Sequence, residues 1–166
     1  MSSTILKINS TIDSLRDLPD NDYLVLTNLE ITPPHASLII QRSWYTLNFK
    51  ECKVAVPFTV FERTFIKNQL PALFLQLKSN LQPSIATAIF NQYKNVNFEK
   101  NITCISPIKQ ILIQHQLPID PNALLFKMIE ELLNTQNILS IIAYQYKADI
   151  YEIQHYSFHQ LLSLKV

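Results

Sequence analysis

Short apolar runs alternate along this chain with polar, proline-marked breaks, and the runs carry two different periods. Tyr23–Ile31 (YLVLTNLEI) is rich in branched and aromatic residues and predicts a strand, broken by Pro33-Pro34. Leu38–Phe49 (LIIQRSWYTLNF) predicts one strand, or two with a bend near Arg42-Ser43. Lys50-Glu51 turns the chain into a further strand over Cys52–Val56. Upstream, Ser10–Asp17 predicts a short helix stopped by Pro19.

The period then changes. Thr59-Val60-Phe61-Glu62 fits a capping box, with Phe61, Phe65 and Ile66 on one helical face until Leu70-Pro71. Leu73, Phe74, Leu75 and Leu77 form an apolar stretch that fits strand or helix. Pro83 suits a first helical turn, with Ile85, Ala88, Ile89 and Tyr93 along one stripe. Ile102–Ile105, within Asn95–Ile105, is a candidate strand. Ser106-Pro107 predicts an N-cap followed by proline, with Ile108, Ile111, Leu112 and His115 on one face. Asp120-Pro121 predicts the start of another helix. There Leu124, Leu125, Met128, Ile129, Leu132 and Leu133 face inward, Glu130 and Glu131 face outward, and Asn134–Asn137 ends it. Leu139–Tyr146 and Ile150–Gln154 predict a closing hairpin that turns at Lys147-Ala148-Asp149, with Tyr144, Tyr146 and Tyr151 in cross-strand contact. Together the elements predict a single α+β domain over residues 1–166, with short antiparallel strands and about four helices.

Composition adds a surface expectation. Apolar residues make up 48% of the chain and charged residues 16%, against about 25% charged in an average soluble domain. Few charges predict exposed apolar patches and protein partners; codon bias in an AT-rich genome is the ordinary alternative. The net charge is +1 and the basic residues are scattered, so a phosphate-tracking stripe for nucleic acid is missing. Two distant cysteines, Cys52 and Cys104, an N-terminus without a long apolar core, and apolar runs too short to span a bilayer predict a reduced, cytoplasmic protein.

The chain contains no glycine. Phosphate-cradling loops, the dinucleotide fingerprint and the nucleophile elbow all require small or glycine residues, so those enzyme classes fall together. Asn, Asp and Pro are left to make the turns. The remaining candidate chemistry is sparse. His155 and His159 have the spacing of metal ligands on a helix but lack a third ligand and an intervening carboxylate. A metal-dependent hydrolase is therefore a minor reading, and no metal or cofactor is expected. Glu130 and Glu131 point about 100° apart on a helix and do not converge. A thiolate nucleophile needs a cation or a helix N-terminus; Cys104 precedes a possible helix start, although a buried structural cysteine is the more ordinary reading. Trp44 and Tyr45 are candidate interface anchors, or equally core residues of their strand. Tyr144, Tyr146, Tyr151 and Phe158, in the weakly charged C-terminal region, complete the candidate partner-binding set.

Three stretches carry a family resemblance: DYLVLTNLEITPPHASLIIQRSWYTLNF, LPALFLQLKSNLQPSIATAIFNQY and ILSIIAYQYKADIYEIQHYSFHQLLSL. Spanning about Asp22 to Leu164, they resemble the N-terminal region of the cytosolic ring (sorting-platform) protein of type III secretion systems, which is related to flagellar motor-switch proteins. The family's Gly-Asp pair after the final L-x-x-L segment is missing: Leu161-Leu162-Ser163-Leu164 runs into Lys165-Val166. The resemblance implies a non-enzymatic structural or adaptor subunit whose terminal hairpin leads to an assembly domain supplied elsewhere. It would be cytoplasmic, peripheral to the inner face of a bacterial membrane. Implied partners are the ring's assembly domains, the linker protein of the export ATPase and an adaptor under the membrane ring. The alternative is a small secretion chaperone or immunity-type binding module.

Overall fold

The computed structural model describes residues 2–96 and 101–163. Its elements run β1 (Ser3–Lys7), β2 (Ser10–Ile12), a 3₁₀ turn (Leu15–Asp17), β3 (Tyr23–Thr27), β4 (His35–Ile40), β5 (Ser43–Leu47) and β6 (Cys52–Pro57). Then follow α1 (Phe58–Asn68), β7 (Ala72–Leu77), α2 (Pro83–Asn91), α3 (Ile105–Gln114), α4 (Leu125–Asn134), β8 (Ile138–Tyr144), β9 (Ile150–Gln154) and α5 (Phe158–Ser163). The fold is α+β, as the mixed periods predict. A seven-stranded sheet in the order β2-β8-β7-β3-β4-β5-β6 is antiparallel except for the parallel β2–β8 pair, and β1 and β9 form a separate antiparallel ribbon.

The sheet is covered on both faces, and strand alternation assigns the residues. Leu24, Leu26, Leu38, Ile40, Leu73 and Leu75 join one core with the buried sides of α2, α3, α4 and the β1–β9 ribbon. Tyr23, Val25, Ile39, Trp44 and Phe74 join a second core under α1. Here Phe61 stacks on Phe65 with ring centroids 4.1 Å apart and meets Trp44 edge-on at 5.2 Å. Double coverage explains why ALFLQL resists assignment by pattern. A central strand buried on both faces reads as a continuous apolar run, and β7 is that strand, between β3 and β8.

Several expected boundaries move for local reasons. Ser10–Asp17 is a short strand plus a 3₁₀ turn rather than a helix. The strand from Tyr23 ends at Thr27, and Asn28 takes a positive φ. No capping box forms at Thr59: α1 begins at Phe58 after Pro57, Glu62 binds Arg16 at 3.2 Å, and Ile66 faces outward. In α2 the buried stripe is Ala86, Ile89 and Phe90, with Ala88 exposed. Ile102–Ile105 is not a strand; Ile105 opens α3, with Cys104 rather than Ser106 as its N-cap, and residues 97–100 lie outside the description. α4 begins at Leu125 rather than Asp120. The Asp120 carboxylate folds back on Asn122 N–H at 2.8 Å, and Lys109 Nζ donates to the Pro121 and Ala123 carbonyls, holding those residues in a turn.

The closing hairpin is the largest correction. β8 lies inside the seven-stranded sheet between β2 and β7, while β9 leaves it and pairs with the N-terminal β1, Tyr151 opposite Leu6. The expected open strand pair is thus closed within this chain. Tyr146 and Tyr151 still meet edge-on at 5.8 Å, but Tyr144 belongs to the α1-side core.

Candidate active site

The six proposed partner-binding residues do not form one surface. Trp44 and Tyr45 point to opposite faces of the sheet and are buried in different cores, and Tyr144 and Tyr151 are buried as well. Their apolar area is already covered by this chain, which removes them as free anchors. Tyr146 and Phe158 are half-buried at separate places. Exposed large apolar residues occur elsewhere, including Ile5, Ile31, Phe49 and Leu139.

The histidines separate clearly. His115 accepts the Gln82 N–H at Nε2 and engages the Ile111 carbonyl through Nδ1. His155 is tied at Nδ1 to the Ser2 hydroxyl, 2.8 Å, and at Nε2 to the Thr4 hydroxyl, 2.8 Å, and Glu130, 3.3 Å, while its ring stacks on Phe126. Glu130 therefore does not face outward: it takes the Thr4 hydroxyl at 2.7 Å and fastens α4 to the β1–β9 ribbon. Glu131 accepts the Asp120 N–H. Both ring nitrogens of His155 are spent and His159 is exposed, so this pair builds no metal site. Among the described residues no cluster of three His, Cys, Asp or Glu side chains could hold a metal.

His35 differs. It opens β4, and its Nε2 lies 2.7 Å from the Thr46 hydroxyl on the adjacent strand β5. Thr46 is buried, so this bond fixes the ring. Either atom can donate across this contact; in the tautomer with the proton on Nε2, Nδ1 carries the lone pair. Burial pushes the imidazole down to about 4, so it is neutral at neutral pH and takes a proton only where a negative charge forms beside it.

Cys104 lines the same cavity from a distant segment of the chain. It is the N-cap of the ten-residue helix α3, where the helix dipole favours a thiolate, although the Ser106 N–H is taken by the Thr103 carbonyl and Pro107 has none to offer. His35 and Cys104 line one cavity of about 470 Å³, together with Asn28, Pro33, Leu47 and Phe49. No formally charged side chain lines it. Cys52 offers a contrast. Its thiol donates to the Phe90 carbonyl, and burial pushes its pKa up despite Lys94 nearby.

A half-buried imidazole bound to a hydroxyl thus shares one cavity with a thiol at a helix N-terminus. The helix start before Ser106-Pro107 was the one sequence signal for Cys104; His35 gave none, because its partners lie on another strand and another helix. No helix is long and apolar enough to cross a membrane among the described residues. The chain matches no family model, no curated protein and no solved structure at a significant level.

Proposed function

We propose that this protein is a cysteine-dependent acyl-transfer enzyme, a hydrolase or transferase, with Cys104 as nucleophile, His35 as general base and Thr46 as the residue that orients His35. The observation that carries this reading is that His35 and Cys104, from distant segments, line one cavity. Cys-His pairs oriented by a third polar side chain recur on unrelated folds, as in papain-like hydrolases, so the reading depends on geometry rather than on ancestry.

In the first step the Cys104 sulfur bonds to the carbonyl carbon of an ester, thioester or amide. Its proton passes to His35, the π pair of the carbonyl moves onto oxygen, and that negative charge offsets the cost that burial sets on a charged imidazole. As the tetrahedral adduct collapses, the bond to the leaving group breaks and His35 returns the proton to that group. A thioester on Cys104 remains. Water or an acceptor nucleophile, deprotonated by His35, attacks it and regenerates the thiol. None of these steps needs a glycine loop. The uncharged lining, with Ile31, Leu47 and Phe49, favours an apolar acyl group.

p-Nitrophenyl acetate tests this directly. Wild-type protein should gain one acetyl group, mapped by peptide mass spectrometry to Cys104. Cys104→Ala should gain none there, and His35→Ala should react about 10²- to 10⁴-fold more slowly. Equal rates with and without His35 would sink the proposal. The ring-subunit reading draws no support from the surface, since its strand pair is closed by β1 and four of its six anchors are buried. Recovery of export components in a native pull-down, undiminished by Cys104→Ala, would favour it instead.

A further inference from the structure

Among the described strands β1 pairs with β9 alone, so one of its edges is open. Two bonds at its ends fix which groups lie on that edge. The His155 N–H donates to the Ser2 carbonyl at 3.1 Å, and the Ile8 N–H to the Asp149 carbonyl at 2.9 Å. In an antiparallel ladder the N–H and C=O groups of successive residues turn alternately toward and away from the partner. Ser2, Thr4, Leu6 and Ile8 therefore face β9, and the backbone groups of Ser3, Ile5 and Lys7 face away from it. Asn9, next in the outward series, shows that this edge pairs where a strand is present: its N–H donates to the Ile141 carbonyl of β8 at 2.9 Å. Upstream of Asn9 the two strands part. β2 covers β8 only from Ile142 onward, so Ile138–Ser140 borders no described strand on that side.

The gap is a cavity of about 340 Å³, with Ile5, Lys7 and Asn9 on one side and Ile138, Leu139 and Ser140 on the other. Ile5 and Leu139 are both exposed. Open backbone groups beside an apolar border are a template for an added strand. Lys7 is the one charged residue lining the gap, and no carboxylate of the described residues pairs with it. Glu152 stands opposite Ile5 on β9, across β1 from the gap, and accepts from the Gln154 amide at 3.4 Å. A second copy joining edge to edge would bring its own Lys7 and no carboxylate, so the charge favours a foreign, acidic segment. We propose that this edge binds an extended segment of another protein as an antiparallel strand added to β1, through an acidic residue two positions before a β-branched or aromatic one. In that pairing the residue opposite Lys7 precedes the residue opposite Ile5 by two, and both lie on one face. The carboxylate meets the Lys7 ammonium, the apolar side chain covers Ile5 and Leu139, and the backbone groups of Ser3, Ile5 and Lys7 complete the ladder. No residue lines both this gap and the Cys104–His35 cavity, so the inference stands apart from the acyl-transfer reading.

A random heptapeptide library displayed on phage, panned against the immobilised full chain, supplies the probes. Selected peptides should carry Asp or Glu two positions before Val, Ile, Thr or an aromatic residue. One such peptide is then synthesised and its binding followed by fluorescence anisotropy. N-methylation of its acidic and apolar residues, whose amides face β1, should weaken binding about 10-fold or more. Methylation of the residue between them, whose amide faces away, should change it less than about twofold. Lys7→Glu, at an exposed position whose own backbone groups leave the β9 ladder untouched, should weaken the same peptide about 5-fold or more. Failure to select any peptide, or binding indifferent to the methylation pattern and to Lys7→Glu, would overturn the inference. So would a dimer of the chain alone in sedimentation velocity that the peptide dissociates, since a second copy would then be the occupant.

Discussion

His35 is neutral at neutral pH because its imidazole sits in the fold where a lone positive charge is poorly solvated. The sign of the linkage follows. A folded-state pKa of about 4, below the ordinary 6.5, means that the unfolded chain binds the proton more readily. The contribution of His35 to stability is full above about pH 6.5 and is lost as pH falls toward 4, at most about 3 kcal/mol over that window and less to the extent that the cavity admits water. Denaturant titrations of wild type and His35→Gln should show it. The stability difference between them should shrink as pH drops from 7 to about 4, with the carboxylates common to both cancelling. A difference that is flat with pH would mean that the ring is solvated. Asp22 shows how a carboxylate is kept in the same interior. It is buried, and its oxygens accept the Gln41 N–H at 3.0 Å and the Leu81 N–H at 2.6 Å, pinning a hairpin turn to the approach to α2.

At the scale of elements, a chain without glycine must still turn. It does so with residues that bear the Cβ penalty of the left-handed region. Gln41 and Arg42, both at positive φ, make the two-residue turn between β4 and β5, and Gln69, Gln116, Gln136 and Gln145 take the same region. Asn, Asp and Pro were expected in these places; glutamine holds most of them. Gln69 ends α1 at φ 50°, with its N–H turned back to the helix and the Leu70 N–H reaching the Phe65 carbonyl at 3.1 Å, a Schellman-type close. Gln69→Gly should therefore stabilise the protein by about 0.5–1 kcal/mol in chemical denaturation, the relief of strain exceeding the added freedom of the unfolded chain. A loss of stability would contradict this account of the cap. Legibility varied by element for physical reasons. α4 could be read because one face is wet and its leucine stripe is clean, whereas β7 could not because both its faces are dry. β8 and β9 looked like a hairpin because adjacent strands usually pair. The chain instead sends β9 across to β1, a choice made by tertiary packing of Leu6, Tyr151 and Ile153.

At the scale of the molecule, the sheet brings together what the sequence keeps apart. The α+β class and a single folded unit were legible from the two periods. The candidate site was not, because β4 and β5 carry His35 and Thr46 while Cys104 stands just before α3. Each residue is ordinary in its own segment; only the order of strands and the packing of α3 on one face set His35 and Cys104 on one cavity. The missing glycines exclude phosphate loops and nucleophile elbows, but a thiol at a helix N-terminus needs neither.

The central claim is that Cys104 is activated by its place in this fold and Cys52 is not. Iodoacetamide alkylation of the full chain at pH 6, resolved by peptide mass mapping, compares both thiols in one sample. We predict that Cys104 reacts at least about 100-fold faster than Cys52, because only its thiolate is favoured by a helix N-terminus and a proton acceptor, and that the advantage collapses in His35→Ala. Equal rates at the two cysteines, or an advantage that survives the loss of His35, would contradict the account.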